Sequence, residues 1–336
     1  NHIQRRNKSQ MYRWKRLFNP EIFQGANRRR NYFEGWYFKC VSQNRKNIMA
    51  FIPGVSYGCS EEDSHAFIQV IDGSRNRSGY FSFPLSDFKY AQDKLELHFG
   101  KNSFSRSGLT VSLKNKDMSY EGCLNFESSS SFPKSPLNPG IMGPFGFLPF
   151  MECYHGVVHV NHRLSGVIDI DHQPQDFSNG SGYIEKDWGT SFPQSWIWIQ
   201  CNHFEDTEGS FMLSYAHIPF LGRSFKGLIS FFSVNGQFYR FSTYQGSRLT
   251  DLVLKDDTLS ALVEGKQHNL RLTVEIQPGS RLKAPRNGAM IHALTESMNS
   301  SLEISITKKN GDILYSGQGT VVGVEIAGDL SKLISV

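Results

Sequence analysis

No run of about 20 apolar residues occurs in this 336-residue chain, so nothing in it reads as a membrane-spanning helix. Cysteine is scarce: Cys40, Cys59, Cys123, Cys153 and Cys201 are odd in number and include no Cys-x-x-Cys pair. That usage predicts reduced thiols in a cytoplasmic protein rather than a disulfide scaffold. Also missing are a Walker phosphate loop, a dinucleotide glycine fingerprint after a strand and a Gly-x-Ser-x-Gly elbow. Phosphoryl transfer, dinucleotide redox chemistry and serine hydrolysis therefore rank low. Long amphipathic helical stretches are few, and the chain opens at Asn1 without a cleavable apolar segment.

What is abundant is aromatic: 26 Phe, 13 Tyr and 5 Trp favour strands and line cavities for flat or long apolar ligands. Short β-like runs continue almost to the end, among them Ile48 to Pro53, Ala66 to Ile71, Gly156 to Val160, Ser210 to His217 and Leu302 to Thr307. Asp72-Gly73, Asn235-Gly236 and Asn310-Gly311 are hairpin signals between such runs. The length suits two domains, each with its own core. The expected fold is all-β, with two antiparallel β-barrels or sandwiches side by side. A basic arm takes residues 1–31, and the domains take residues 32–175 and 176–336, divided near the turn-rich His172 to Gly180. Residues 127–150 carry serine, proline and glycine too densely for a central strand. They predict a long loop, either a surface linker or, from its apolar Ile141 to Phe150 portion, a lid.

Charge is uneven. Residues 1–30 hold nine Lys or Arg against Glu21 alone, within a net charge of +5, so the rest of the chain is slightly acidic. With Met11, Tyr12, Trp14, Leu17 and Phe18 interleaved, the arm suits peripheral contact with an anionic membrane surface or packing of its aromatics on the barrel. No signature of a nucleic-acid module accompanies it, so no nucleic-acid partner is expected.

Two segments concentrate chemistry. In Trp196-Ile-Trp198-Ile-Gln200-Cys-Asn202, read as a strand, the period of two puts Trp196, Trp198, Gln200 and Asn202 on one face and the isoleucines on the other. In Tyr32 to Lys39, Glu34, Trp36 and Phe38 share a face. A carboxyl among large apolar groups is expected to hold its proton to unusually high pH, although pairing with a cation or capping a barrel end are alternatives. Just before the first of these segments, Glu185 and Asp187 share a face of Gly182 to Gly189, with Lys186 pointing the other way. His155, His159 and His162 invite a metal, but His155 and His159 on a regular strand lie about 13 Å apart, so no metal is expected. His155 and His159 are read instead as polar contacts in a cavity or as satisfied core residues.

Tyr32 to Lys39, the His65 to Asp72 strand and the run from Gly182 to Asn202 together resemble the tocopherol cyclase family, in order and separation, over nearly all the chain from about Asn31. The resemblance implies two lipocalin-like domains and closure of a chromanol ring on a prenylated quinol, a cofactor-free isomerisation. Such chemistry protonates a trisubstituted alkene and then captures the tertiary cation with a phenol oxygen. It calls for a neutral carboxylic acid in a dry pocket with aromatic faces to tolerate the cation. Glu34, Glu185 and Asp187 are the candidate acids. Trp36, Trp188, Trp196 and Trp198 are candidates to cradle the chain or cation, and Gln200 and Asn202 to orient the quinol oxygens. A non-catalytic carrier of isoprenoid or quinone lipids, or a hydratase of an isoprenoid alkene, would use the same surfaces. In every case the partner is an apolar prenylated small molecule.

Overall fold

The computed structural model describes residues 15–149, 151–220 and 222–334. The first fourteen residues of the basic arm, with Trp14, and Phe150 at the end of the expected loop lie outside them. Helix is confined among the described residues to one turn at residues 15–18 and short 3-10 turns, and none is long and apolar enough to cross a membrane.

Twelve strands build the first sheet: β1 (Tyr32–Val41), β2 (Ile48–Tyr57), β3 (His65–Asp72), β4 (Arg77–Phe83), β5 (Phe88–Tyr90), β6 (Glu96–Phe99), β7 (Asn102–Ser105), β8 (Gly108–Lys114), β9 (Ser119–Ser131), β10 (Cys153–Ile170), β11 (Gln173–Asp176) and β12 (Ser181–Gly189). Their spatial order is β4-β3-β2-β1-β12-β10-β9-β8-β7-β6-β5, with β11 paired to β10. The second sheet holds β13 (Ser195–Phe204), β14 (Glu208–Phe220), β15 (Arg223–Val234), β16 (Gln237–Ser242), β17 (Arg248–Lys255), β18 (Thr258–Glu264), β19 (His268–Glu275), β20 (Ser280–Arg286), β21 (Ala289–Lys308) and β22 (Ile313–Ala327). It runs β16-β15-β14-β13-β22-β21-β19-β18-β17, with β20 paired to β21. The all-β, antiparallel reading of the sequence is therefore the fold. Asn235 and Gly236, at φ 50° and 73°, supply the two left-handed residues of the tight β15–β16 hairpin.

The chain divides into two compact units, each with its own core. Of the described residues, one unit contains those up to Ile71, within Ser78–Phe192 and within Lys283–His292; the other contains those within Asp72–Arg77, within Pro193–Leu282 and from Ala293 on. The expected division at residue 175 thus moves to residue 192. The turn-rich stretch before Gly180 is not a linker: Gly180 N–H bonds to the Phe177 carbonyl at 2.9 Å, and Leu164 N–H bonds to the Gly180 carbonyl at 2.9 Å. It delivers β12 into the centre of the first sheet, between β1 and β10. The expected loop also shortens, because β9 runs on to Ser131.

Alternation along the strands fills both cores. Trp36, Phe38, Phe51, Ile68, Phe104 and Ile184 pack in the first unit, and Ile197, Ile199, Phe211, Phe232, Leu272 and Val322 in the second. The isoleucine face of β13 is core, as its period predicts.

Two register shifts interrupt the pairing of β10 with β12, so that His159 sits opposite Ile184 and His162 opposite Gly182. Such bulges re-aim side chains. Here they bring the two buried imidazoles together, Nδ1 to Nδ1 at 3.3 Å, which a regular strand would not do. A Cβ at residue 182 would run into the His162 ring, so glycine is required there. Burial and the nearby Arg106 push His159 down to about 4, and burial and His159 push His162 well below its ordinary value.

Both histidines bind fewer protons folded than unfolded between their depressed values and the ordinary value near 6.5. The stability they permit is therefore present above about pH 6.5 and falls as pH drops toward 4. The thermal midpoint should decline over that range, with a shallower decline in His162→Gln; an equal slope in the variant would contradict the assignment.

Candidate active site

β1 and β12 lie side by side with Trp36 opposite Lys186, Glu34 opposite Trp188 and Tyr37 opposite Glu185. The alternation of β12 sends Lys186 and Trp188 to one face, and Glu185 and Asp187 to the other. The expected separation of Lys186 from the two acids is thus present, and the faces do different things.

On the core face, Lys186 Nζ contacts Glu34 Oε1 at 2.5 Å, with both side chains fully buried. The ammonium donates to the carbonyls of Pro20 at 2.7 Å and Ile22 at 2.6 Å. Its remaining surface lies 4.6 Å from the Trp36 ring and 4.8 Å from the Trp188 ring, close enough for cation-π attraction to both. Burial pulls Lys186 down to about 8 despite the neighbouring carboxylate. Glu34 in turn accepts from the backbone N–H of Gln24 at 2.8 Å and Gly25 at 2.9 Å, and from the Tyr32 hydroxyl at 2.6 Å.

This corrects the expectation for Glu34. Its oxygens meet donors on every side, a setting for a carboxylate; the proton of a neutral acid would find no acceptor there. Trp36, whose Nε1 donates to the Glu21 carbonyl at 2.9 Å, is fully enclosed with it. Together they fasten residues 20–25, the last part of the basic arm, across the sheet.

On the opposite face, β10 pairs with β12 so that His155 faces Asp187. His155 Nδ1 lies 2.7 Å from Asp187 Oδ1, and Nε2 lies 3.5 Å from Glu185 Oε2. The Tyr183 hydroxyl donates to the same Glu185 oxygen at 2.7 Å. Burial works to lower the His155 pKa, but Asp187 and Glu185 more than offset it and hold the imidazole well above its ordinary value. Burial, then the charge of Glu185, raises the Tyr183 phenol. Cys153, with Sγ 4.0 Å from Asp187 Oδ1, is likewise raised by burial and then by that carboxylate.

Sequence reasoning singled out the two acids and read His155 as a polar contact in a cavity or a core residue, but did not place it between them. The available signal was the strand character of Gly156 to Val160, which makes residue 155 a strand neighbour rather than a loop residue. Ligand atoms of His155, Glu185 and Asp187 lie within 4.8 Å of one another, a trio with metal-binding spacing across two strands rather than along one. The short His155–Asp187 contact is hydrogen-bond geometry, which suits a proton network as it stands.

A cavity of roughly 870 Å3 adjoins these strands. Its wall includes His155 and Trp188, whose ring stacks on Tyr154 at 5.5 Å and 11°. Arg16 to Arg28 of the arm and the Pro139 to Pro149 loop close other sides. Phe18 and Phe147 meet edge-on at 6.1 Å, joining arm to loop. The loop read as a lid or linker thus forms cavity wall.

In the second unit, Trp196, Trp198, Gln200 and Asn202 occupy the face of β13 away from its core. Trp196 Nε1 donates to Glu325 Oε2 at 2.9 Å, the Gln200 amide bonds to Asn202 Oδ1, and Ser210 Oγ donates to that oxygen at 3.1 Å.

Two antiparallel β units, each with its own core, make this a lipocalin-like fold. The tocopherol cyclase-like family profile matches residues 114–328, and the chain belongs to that family. A maize protein named "Tocopherol cyclase, chloroplastic" is 26% identical over 192 residues, 54% of this chain and 40% of its own length. A rice (Oryza sativa subsp. japonica) protein named "Probable tocopherol cyclase, chloroplastic" is 27% identical over 186 residues, 52% of this chain and 37% of its own. The chain thus matches about two fifths of these relatives. Among solved structures, CghA superposes with a TM-score of 0.56 at 10% identity, covering 89% of this chain and 88% of its own. Kievitone hydratase from Nectria haematococca gives 0.51 at 12% identity, covering 91% and 94%. Both likenesses concern the fold.

Removing either partner of the Glu34–Lys186 pair leaves a buried charge alone, so Glu34→Gln and Lys186→Met should each cost about 3–5 kcal/mol. The double variant Glu34→Leu with Lys186→Met should cost less than the sum of its parts, measured by urea unfolding. Additive losses would argue against the coupling. Separately, Asp187→Asn should lower the His155 pKa toward or below its ordinary value, read by NMR titration of the imidazole.

Proposed function

We propose that the protein is a cofactor-free cyclase that closes an oxygen ring on a prenylated aromatic by moving protons through Glu185, His155 and Asp187. The observation that carries this reading is His155 held between two carboxylates and also on the wall of the aromatic-lined cavity. Membership of the tocopherol cyclase-like family supports it.

Ring closure is redox-neutral and needs a donor and an acceptor of one proton each. His155, the member of the cluster that lines the cavity and a cation held between two carboxylates, is the donor to the alkene carbon, while Glu185, fixed by the Tyr183 hydroxyl, and Asp187 hold its ring. The resulting tertiary cation is met by the aromatic faces of Trp188 and Tyr154, and the phenol oxygen adds to it. The phenolic proton then returns to the His155 imidazole, whose protonated form is stabilised by Asp187 at 2.7 Å from Nδ1 and Glu185 at 3.5 Å from Nε2. The total count of protons on the protein is unchanged after each turnover. Glu34 and Trp36 act as positioning residues, through Lys186 and Trp188. Trp196, Trp198, Gln200 and Asn202 are proposed as contacts for an apolar ligand within the second unit and take no part in this proton transfer. The substrate is apolar and prenylated, and the basic arm is a site for peripheral membrane contact where such a substrate resides.

The test is incubation of purified protein with prenyl benzoquinols and analysis for chromanol. Glu185→Gln and Asp187→Asn should each lower the rate by about 10²–10⁴-fold while ligand binding persists. Full retention of rate in both variants would overturn the assignment. Binding without any product would favour a lipid carrier, and a product heavier by one water would favour a hydratase.

A further inference from the structure

The cavity wall carries more positive charge than an uncharged quinol calls for. Arg16 and Arg28 both belong to it, whereas Glu152 is its single carboxylate residue. Arg16 is partly committed, with Nη1 donating to the Gln24 carbonyl at 2.6 Å. Arg28 is different. Its guanidinium carbon lies 5.5 Å from the centre of the Tyr32 ring, and no acid among the described residues pairs with it. Its charge acts on the hydroxyls of both Tyr32 and Tyr154, which places it by the stacked Tyr154–Trp188 side of the wall.

Nor is Arg28 on a loose tail. Its backbone N–H donates to the Gly25 carbonyl at 2.8 Å, closing the 3-10 turn Gly25–Asn27, and the Gly25 N–H is itself bound by Glu34. An accessible guanidinium on a held backbone offers a planar fork of donors that matches a carboxylate in two parallel bonds. An uncharged ring substituent would leave that fork without an acidic partner.

We infer that the ligand of this cavity is a prenylated aromatic acid, with its ring against Tyr154 and Trp188 and its carboxylate paired to Arg28. The inference rests on the cyclisation reading for the prenyl group, while the carboxylate is read from Arg28. Arg28 is then the residue that determines specificity.

The probe is 3-prenyl-4-hydroxybenzoic acid against its methyl ester, with Kd followed by calorimetry and ring closure followed by mass spectrometry. The acid should bind about tenfold or more tightly than the ester, R28Q should abolish that difference and R28K should keep part of it. Equal affinity for acid and ester, failure of the acid to bind, or an undiminished preference in R28Q would overturn the inference. A tighter acid that is never cyclised would uphold Arg28 and sink the cyclase reading. Cyclisation of both with one KM would do the reverse.

Discussion

A lysine with no exposed surface needs compensation for its lost hydration, and much of the first unit is arranged around supplying it to Lys186. Glu34 provides the counter-charge, two arm carbonyls take ammonium protons, and two indoles face what is left. Because the carbonyls come from Pro20 and Ile22, the lysine cannot be satisfied unless the arm is in place. Because Glu34 also receives the N–H groups of Gln24 and Gly25, the arm cannot leave without stranding a carboxylate. Trp188, above the ammonium, is in turn cavity wall. The shape of the cavity therefore depends on charges that do not line it.

The opposite face of β12 solves another problem. Two carboxylates within reach of one imidazole share its positive charge, and Tyr183 adds a donor beneath Glu185. In the proposed reaction this arrangement holds one proton on an imidazole between two carboxylates, one buried and one partly exposed. Trp188 and Tyr154, on the face shared with Lys186, stack on one another and line the cavity that also includes His155.

Much of the fold was legible because strand periodicity depends only on neighbours. The isoleucine face of β13, the separation of Lys186 from Glu185 and Asp187, and the Asn235–Gly236 hairpin all follow from local pattern. What the pattern did not carry was partnership between distant strands. Nothing near residue 180 tells a domain linker from a turn that returns the chain to its own sheet, so β12 was assigned to the wrong half. The role of Glu34 was obscured for the same reason: its partner lies 152 positions away, on a strand paired only in three dimensions. The His159–His162 contact depends on bulges that interrupt the regular alternation of β10, which the local pattern does not mark. The acids Glu185 and Asp187 were legible, and so was His155 as a polar contact in a cavity; its partnership with them was not, because it depends on the register of residue 155 with residue 187.

The two faces of β12 also bear on how variants of this protein would be interpreted. Neighbouring codons 185 and 186 specify one group proposed for proton transfer and one that holds the arm down. A genetic screen that scores only product would rate lesions at both as equally damaging. Soluble yield would separate them: a lesion at 185 should leave abundant inert protein, and a lesion at 186 should leave little protein at all.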